Sequence, residues 1–202
     1  MTMPAAEGHT APAEVRAPSH IAELGWRRLL ELALPGIAIG LLGGLIAGSA
    51  MAAGGLALDV AVFAAVTLAL LLALAGAGFE LVLATGRFPL SALTPVALYW
   101  VVAFPLVRII HAAALSLYAG DAVAVPHGWL DFIVYQMLLS VGFGIGYWWL
   151  HENFAPRWWF HVRERNPVAA RYMDVLLYQI AVSDEREQRR NRRRKSRRDS
   201  GG

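Results

Sequence analysis

Residues 57–84 read ALDVAVFAAVTLALLLALAGAGFELVLA, and from Val60 to Phe79 no residue is charged. At 1.5 Å of rise per residue, a helix over this stretch is about 40 Å long, enough to cross a hydrocarbon core of ~30 Å. A soluble helix of that length keeps a polar face; this one has none. It reads as a transmembrane span.

Similar apolar runs lie on either side of it. A first span covers about 29–53, joined to the quoted one by Gly54-Gly55, which supplies a tight turn. Residues 85–91 (TGRFPLS) form a short loop, a third span follows over about 92–118, and a fourth over about 129–150. Pro95 and Pro105 each remove a backbone donor from the third span and predict kinks there. The rival reading of the first run is a secretory leader, because GSAMAA at 48–53 offers small residues for cleavage. The run exceeds an h-region of roughly 7–15 residues and a long polar segment precedes it, so a retained span is expected.

Charge gives the orientation. The formal net charge is +3, but nine of the eighteen Lys and Arg residues lie between Arg186 and Arg198. Arg27, Arg28, Arg87, Arg157, Arg163 and Arg165 all fall on one side of a four-span chain. The opposite loops hold no Arg or Lys, only Asp121 beside the span-end acids Asp59 and Asp131. By the positive-inside rule both termini are cytoplasmic. Arg outnumbers Lys 17 to 1, and Ala and Gly abound, which points to a bacterial plasma membrane protein from a GC-rich genome.

Beyond the fourth span, Trp158 and Trp159 are expected at headgroup level, where amphipathic rings prefer to sit. Asn166-Pro167 is a helix start, with Asn as the cap and Pro at the first helical position. The helix it opens carries Met173, Leu176 and Ile180 on one side, with Arg171 and Asp174 on another. The expected fold is thus an all-α membrane protein: a four-transmembrane-helix bundle, N-in/C-in, then a cytoplasmic amphipathic helix and a disordered basic tail. Residues 1–20 are a disordered tail, 21–150 the transmembrane domain, 151–183 the aromatic segment with the amphipathic helix, and 184–202 the disordered Arg-rich end.

Three features bear on function. Gly36, Gly40, Gly44 and Gly48 recur every fourth residue, so they share one helix face and form a groove into which another helix fits closely. Its occupant is either a span of this chain, or a second copy or partner subunit. The second feature is Arg108, about ten residues from the outer end of its span and hence roughly 15 Å deep. An arginine there costs at least ~2.5 kcal/mol and needs a partner or water. His111 lies one turn outward on the same face, Gln136 at similar depth, and Asp59 and Asp131 near the outer surface. Together these five predict either an outward-facing cavity for an anionic group or an internal ion pair of Arg108 with Asp59 or Asp131. Glu80, about a turn from the inner surface, is too deep to reach Arg108 along straight helices. The third feature is the basic tail with Arg192, Arg193, Arg194 and Lys195, expected to meet anionic lipid. No aromatic residue interleaves these charges, which argues against single-stranded nucleic acid.

Cys is absent, which excludes disulfides and thiolate sites. No second His sits at usable intramembrane spacing from His111, so neither a metal nor a haem is expected, and no cofactor is implied. GxSxG, HExxH and phosphate-loop motifs are missing. The expected function is a non-catalytic accessory or scaffold subunit that packs on other membrane helices, bound to lipid and to a protein partner or a second copy. The alternative is a small transporter or lipid-handling protein with an anion at Arg108. A further alternative is a membrane-embedded enzyme on a lipid-borne anionic substrate, with His111 as acid or base.

Overall fold

The computed structural model describes residues 24–86, 88, 90–120 and 128–199, with side chains through Arg192. Five helices follow in order: α1 Trp26–Ala53, α2 Leu58–Ala84, α3 Leu93–Ala119, α4 Trp129–Val162 and α5 Pro167–Asp199. No strand occurs among the described residues. The first four are long and apolar enough to cross a membrane. Most of their surface faces outward and is apolar, as lipid requires of a spanning helix.

The tightest seam is α1 on α2. Gly36, Gly40, Gly44 and Gly48 all lie on the α2 side of α1. A methyl at Gly40 would land on the Leu72 carbonyl and the Ala73 amide, and one at Gly44 on the Ala69 backbone. Gly76 repeats the device from α2, meeting the Gly36 carbonyl. Without side chains between them the backbones close up and gain dispersion contact, which lipid chains alone do not supply. The groove is therefore filled by α2 of the same chain. Gly142 and Gly146 on α4 face open space instead.

The helices then run up and down, each beside the next. Tyr99 of α3 donates to the Ala75 carbonyl of α2. Trp100 of α3 sets its ring 4.6 Å from Phe143 and 4.7 Å from Tyr147 of α4. The start of α1 meets the end of α4, which closes the ring of four: the Trp158 indole donates to the Glu31 carbonyl at 2.6 Å, and Arg165 reaches the Glu31 carboxylate at 2.8 Å. At the first turn, residues 54–56 bend back with Gly55 at φ +90°, a conformation that suits glycine alone.

Two expectations about the chain ends change. Helix α4 does not stop at residue 150, where the fourth span was expected to end, but continues to Val162, through Pro156. His151, Ala155, Trp159 and Val162 keep one face buried at helical spacing, and that packing outweighs the single donor lost at Pro156. Trp159 is accordingly buried and Trp158 half-buried within the bundle. The segment from 184 is helical to Asp199 rather than irregular. Glu, Gln and Arg are good helix formers, and Glu185 and Arg189 sit one turn apart at 4.0 Å. Pro105 likewise lies inside a continuous α3. Residues 1–20, Arg87, Asp121 and His127, and the side chains of Arg193, Arg194 and Lys195, lie outside the described residues.

Asn166 joins α5 to the bundle in the way its position before Pro167 predicts. Its Oδ1 accepts from the Val168 and Ala169 amides at 3.2 and 3.4 Å, and its amide group donates to the Arg28 carbonyl of α1 at 2.8 Å. Val168, Ala169, Tyr172 and Met173 are buried beyond it, so the first two turns of α5 belong to the core. Replacing Asn166 by alanine removes a cap and strands a carbonyl. The expected cost is about 2 kcal/mol, read as a lowered melting temperature in mild detergent. An unchanged melt would mean that α5 is not docked through this residue.

Candidate functional site

Two clusters of polar side chains lie inside the bundle, at different heights. The first is built on Arg108. Its Nε donates to Gln136 Oε1 at 3.3 Å and its Nη1 meets His111 Nδ1 at 2.9 Å. A guanidinium only donates, so His111 Nδ1 accepts, and the ring proton must sit on Nε2. That nitrogen in turn donates to the Ala64 carbonyl of α2 at 3.0 Å. Both ring nitrogens are engaged, and His111 is held as one neutral tautomer.

The structure thus brings together Arg108, His111 and Gln136, and not the two acids. Asp59 and Asp131 are exposed, each in the first turn of its helix, where a carboxylate faces the helix amides. Among the described residues no carboxylate lies within ion-pair distance of Arg108. Its partners among the described residues are an amide and a neutral imidazole, neither of which compensates its charge. Arg108 is eleven residues from Ala119, about 16 Å from that end of α3, and it is half-buried between α3 and α4.

The second cluster escaped the reading of the sequence. Glu80, 0% exposed on α2, accepts from His151 Nε2 of α4, itself 4% exposed, at 2.9 Å. Aromatic rings surround the pair. Phe79 lies 5.6 Å from His151, Tyr147 stacks on it at 5.9 Å, and Trp159 stands edge-on at 5.5 Å. Tyr172 of α5 packs 4.6 Å from Trp159 and closes the cluster from outside the spans. The second oxygen of Glu80 and the hydroxyls of Tyr147 and Tyr172 are buried with no partner. Sixteen residues separate Ala64 from Glu80 on α2, so the two clusters stand about 24 Å apart along the bundle. No group of three or more acidic or histidine side chains fit for a metal occurs among the described residues.

The protein surface holds one further feature. Past Met173, Leu176 still packs on the core, while Leu177, Tyr178 and Ile180 of α5 are exposed ahead of the arginines that follow. Comparison with known proteins places none of this in a family: no family model, no curated protein and no solved structure matches the chain.

Proposed function

We propose that this chain is an integral protein of a bacterial plasma membrane, both termini cytoplasmic, that binds an anionic group at Arg108. The group is a phosphate or carboxylate, carried by a lipid or by a small solute, and the site serves its handling or transport. One observation carries this reading. A guanidinium sits deep within a candidate span and its partners among the described residues are neutral, while Asp59 and Asp131, either of which could have paired with it, are exposed at the helix ends. A charge in that setting costs several kcal/mol unless an anion or water meets it. Guanidinium binds phosphate and carboxylate through paired hydrogen bonds, and those already made to Gln136 and His111 hold it in place for a third partner. Orientation rests on the asymmetry of the arginines: Arg27, Arg28, Arg157, Arg163 and Arg165 flank the end where α1 begins and α4 finishes.

The accessory-subunit reading loses its main support, because the glycine row is occupied by α2. What favours it still is the exposure of Leu177, Tyr178 and Ile180 on α5 beside its arginine-rich continuation, a surface fitted to anionic headgroups or to another protein.

The anion reading is tested on the full chain in mild detergent by native mass spectrometry with phosphatidylglycerol and phosphatidylcholine, and by calorimetry with inorganic phosphate. Preferential retention of phosphatidylglycerol identifies a lipid headgroup, and a calorimetric response to phosphate identifies a solute. Arg108→Gln is expected to weaken whichever is bound by about tenfold or more, as loss of a charge-assisted bond predicts. A chain with Arg192, Arg193 and Arg194 changed to Gln separates binding at the tail. Equal retention by wild type and Arg108→Gln, with loss only in the tail variant, would overturn the reading.

A further inference from the structure

The Glu80–His151 cluster does no work for the anion at Arg108, some 24 Å away by helix rise. We infer that Glu80 and His151 form a proton-binding site, taking up and releasing one proton at the end of the bundle where α2 stops and α5 docks. Three observations carry this.

The first is the identity of the partner. Glu80 is fully buried, and among the described residues no arginine or lysine comes within ion-pair distance of it; its one partner is an imidazole. Histidine alone among the side chains changes charge near neutrality in its unperturbed state.

The second is that the hydrogen bond survives both charge states. Nε2 of His151 carries the hydrogen that points to Glu80 Oε1 at 2.9 Å whether the ring is neutral or an imidazolium. A proton arriving from water bonds to the other ring nitrogen or to the second Glu80 oxygen, which is buried without a partner. The pair then passes from one negative charge to none, and no other bond forms or breaks.

The third is access. Glu80 lies four residues from Ala84, roughly 6 Å from the end of α2. Tyr172 covers the cluster there, from α5. Burial first, and the charge of Glu80 second, hold its hydroxyl well above the usual tyrosine range, so it stays protonated and able to donate. The other polar groups facing the pair are few. Tyr147 of α4 is an unpartnered phenol, its oxygen lying against Gly36 of α1. Tyr99 of α3 is committed to the Ala75 carbonyl, and Glu152 follows His151 on α4. α1 supplies Glu31, which is paired with Arg165. None of these supplies a permanent positive charge to the pair.

The test is a pH titration of the full chain in lipid nanodiscs by nuclear magnetic resonance. The Leu150–His151 step occurs once in the sequence, so carbonyl-labelled leucine with nitrogen-labelled histidine assigns His151 in the wild-type chain. Its ring nitrogens are expected to shift reversibly through a single transition between about pH 5 and 8. Glu80→Gln, which removes the negative charge, is expected to move the midpoint acidward by about one unit or more, a tenfold loss of proton affinity. A flat wild-type profile over that range would overturn the site, and so would an identical midpoint in Glu80→Gln. If Glu80→Gln does not fold, the wild-type profile decides by itself.

Discussion

Gly40→Ala is expected to pull α1 away from α2 and to lower the stability of the bundle by about 3 kcal/mol, the upper part of the range for overpacking. The added methyl has nowhere to go, because it meets backbone atoms at Leu72 and Ala73 rather than a side chain that can swing aside. The same holds at Gly44 against Ala69. Thermal unfolding in mild detergent, followed by the near-ultraviolet circular dichroism of the buried aromatics, measures the loss. Gly142→Ala is the control. A methyl there meets nothing within 4 Å, and alanine is the better helix former, so the melt should hold or rise slightly. A Gly40→Ala chain that melts with the wild type would show that α1 and α2 are not in backbone contact.

His151→Ala is expected to cost about 3–5 kcal/mol, the penalty for leaving a buried charged partner alone. Glu80 is fully covered by Phe79, Tyr147 and their neighbours, and its second oxygen has no partner to fall back on. Substituting both residues by leucine should restore much of the loss, since an apolar pair of similar size needs no desolvated charge. Chemical or thermal unfolding of the two chains side by side decides the matter. If the double variant is as unstable as the single one, the cost arises from shape and not from the stranded carboxylate.

The four spans were legible because nothing interrupts them. Val60 to Phe79 admits one reading, and the helix limits at Ala53, Ala84 and Ala119 fall within a residue of those expected from the apolar runs. The end of α4 was hidden. Asn153, Pro156 and Arg157 look like the close of a span, and only the contacts of Ala155, Trp159 and Val162 with neighbouring helices show why the helix persists. Within the Arg108 cluster, the spacing of Arg108 and His111 by three and the depth of Gln136 were readable from helix periodicity. The positions of Asp59 and Asp131 were not, since depth along an axis says nothing about which way around the bundle a side chain points. Glu80 and His151 were missed for one cause: closing the fourth span at residue 150 set His151 outside the bundle. Carrying α4 one further turn past Tyr147 brings it level with Glu80.

The clamp between the first turns of α1 and the α4–α5 junction has a consequence for synthesis. Trp158, Arg165 and Asn166 are the groups that hold Arg28 and Glu31, yet they are made more than a hundred residues later. A nascent chain that has delivered its first two helices can pair them through the glycine seam at once, whereas the polar clamp on Arg28 and Glu31 forms only once translation has passed Asn166. That clamp is therefore set after the helices it joins, and a message broken before residue 158 yields a chain whose Arg28 and Glu31 lack these partners.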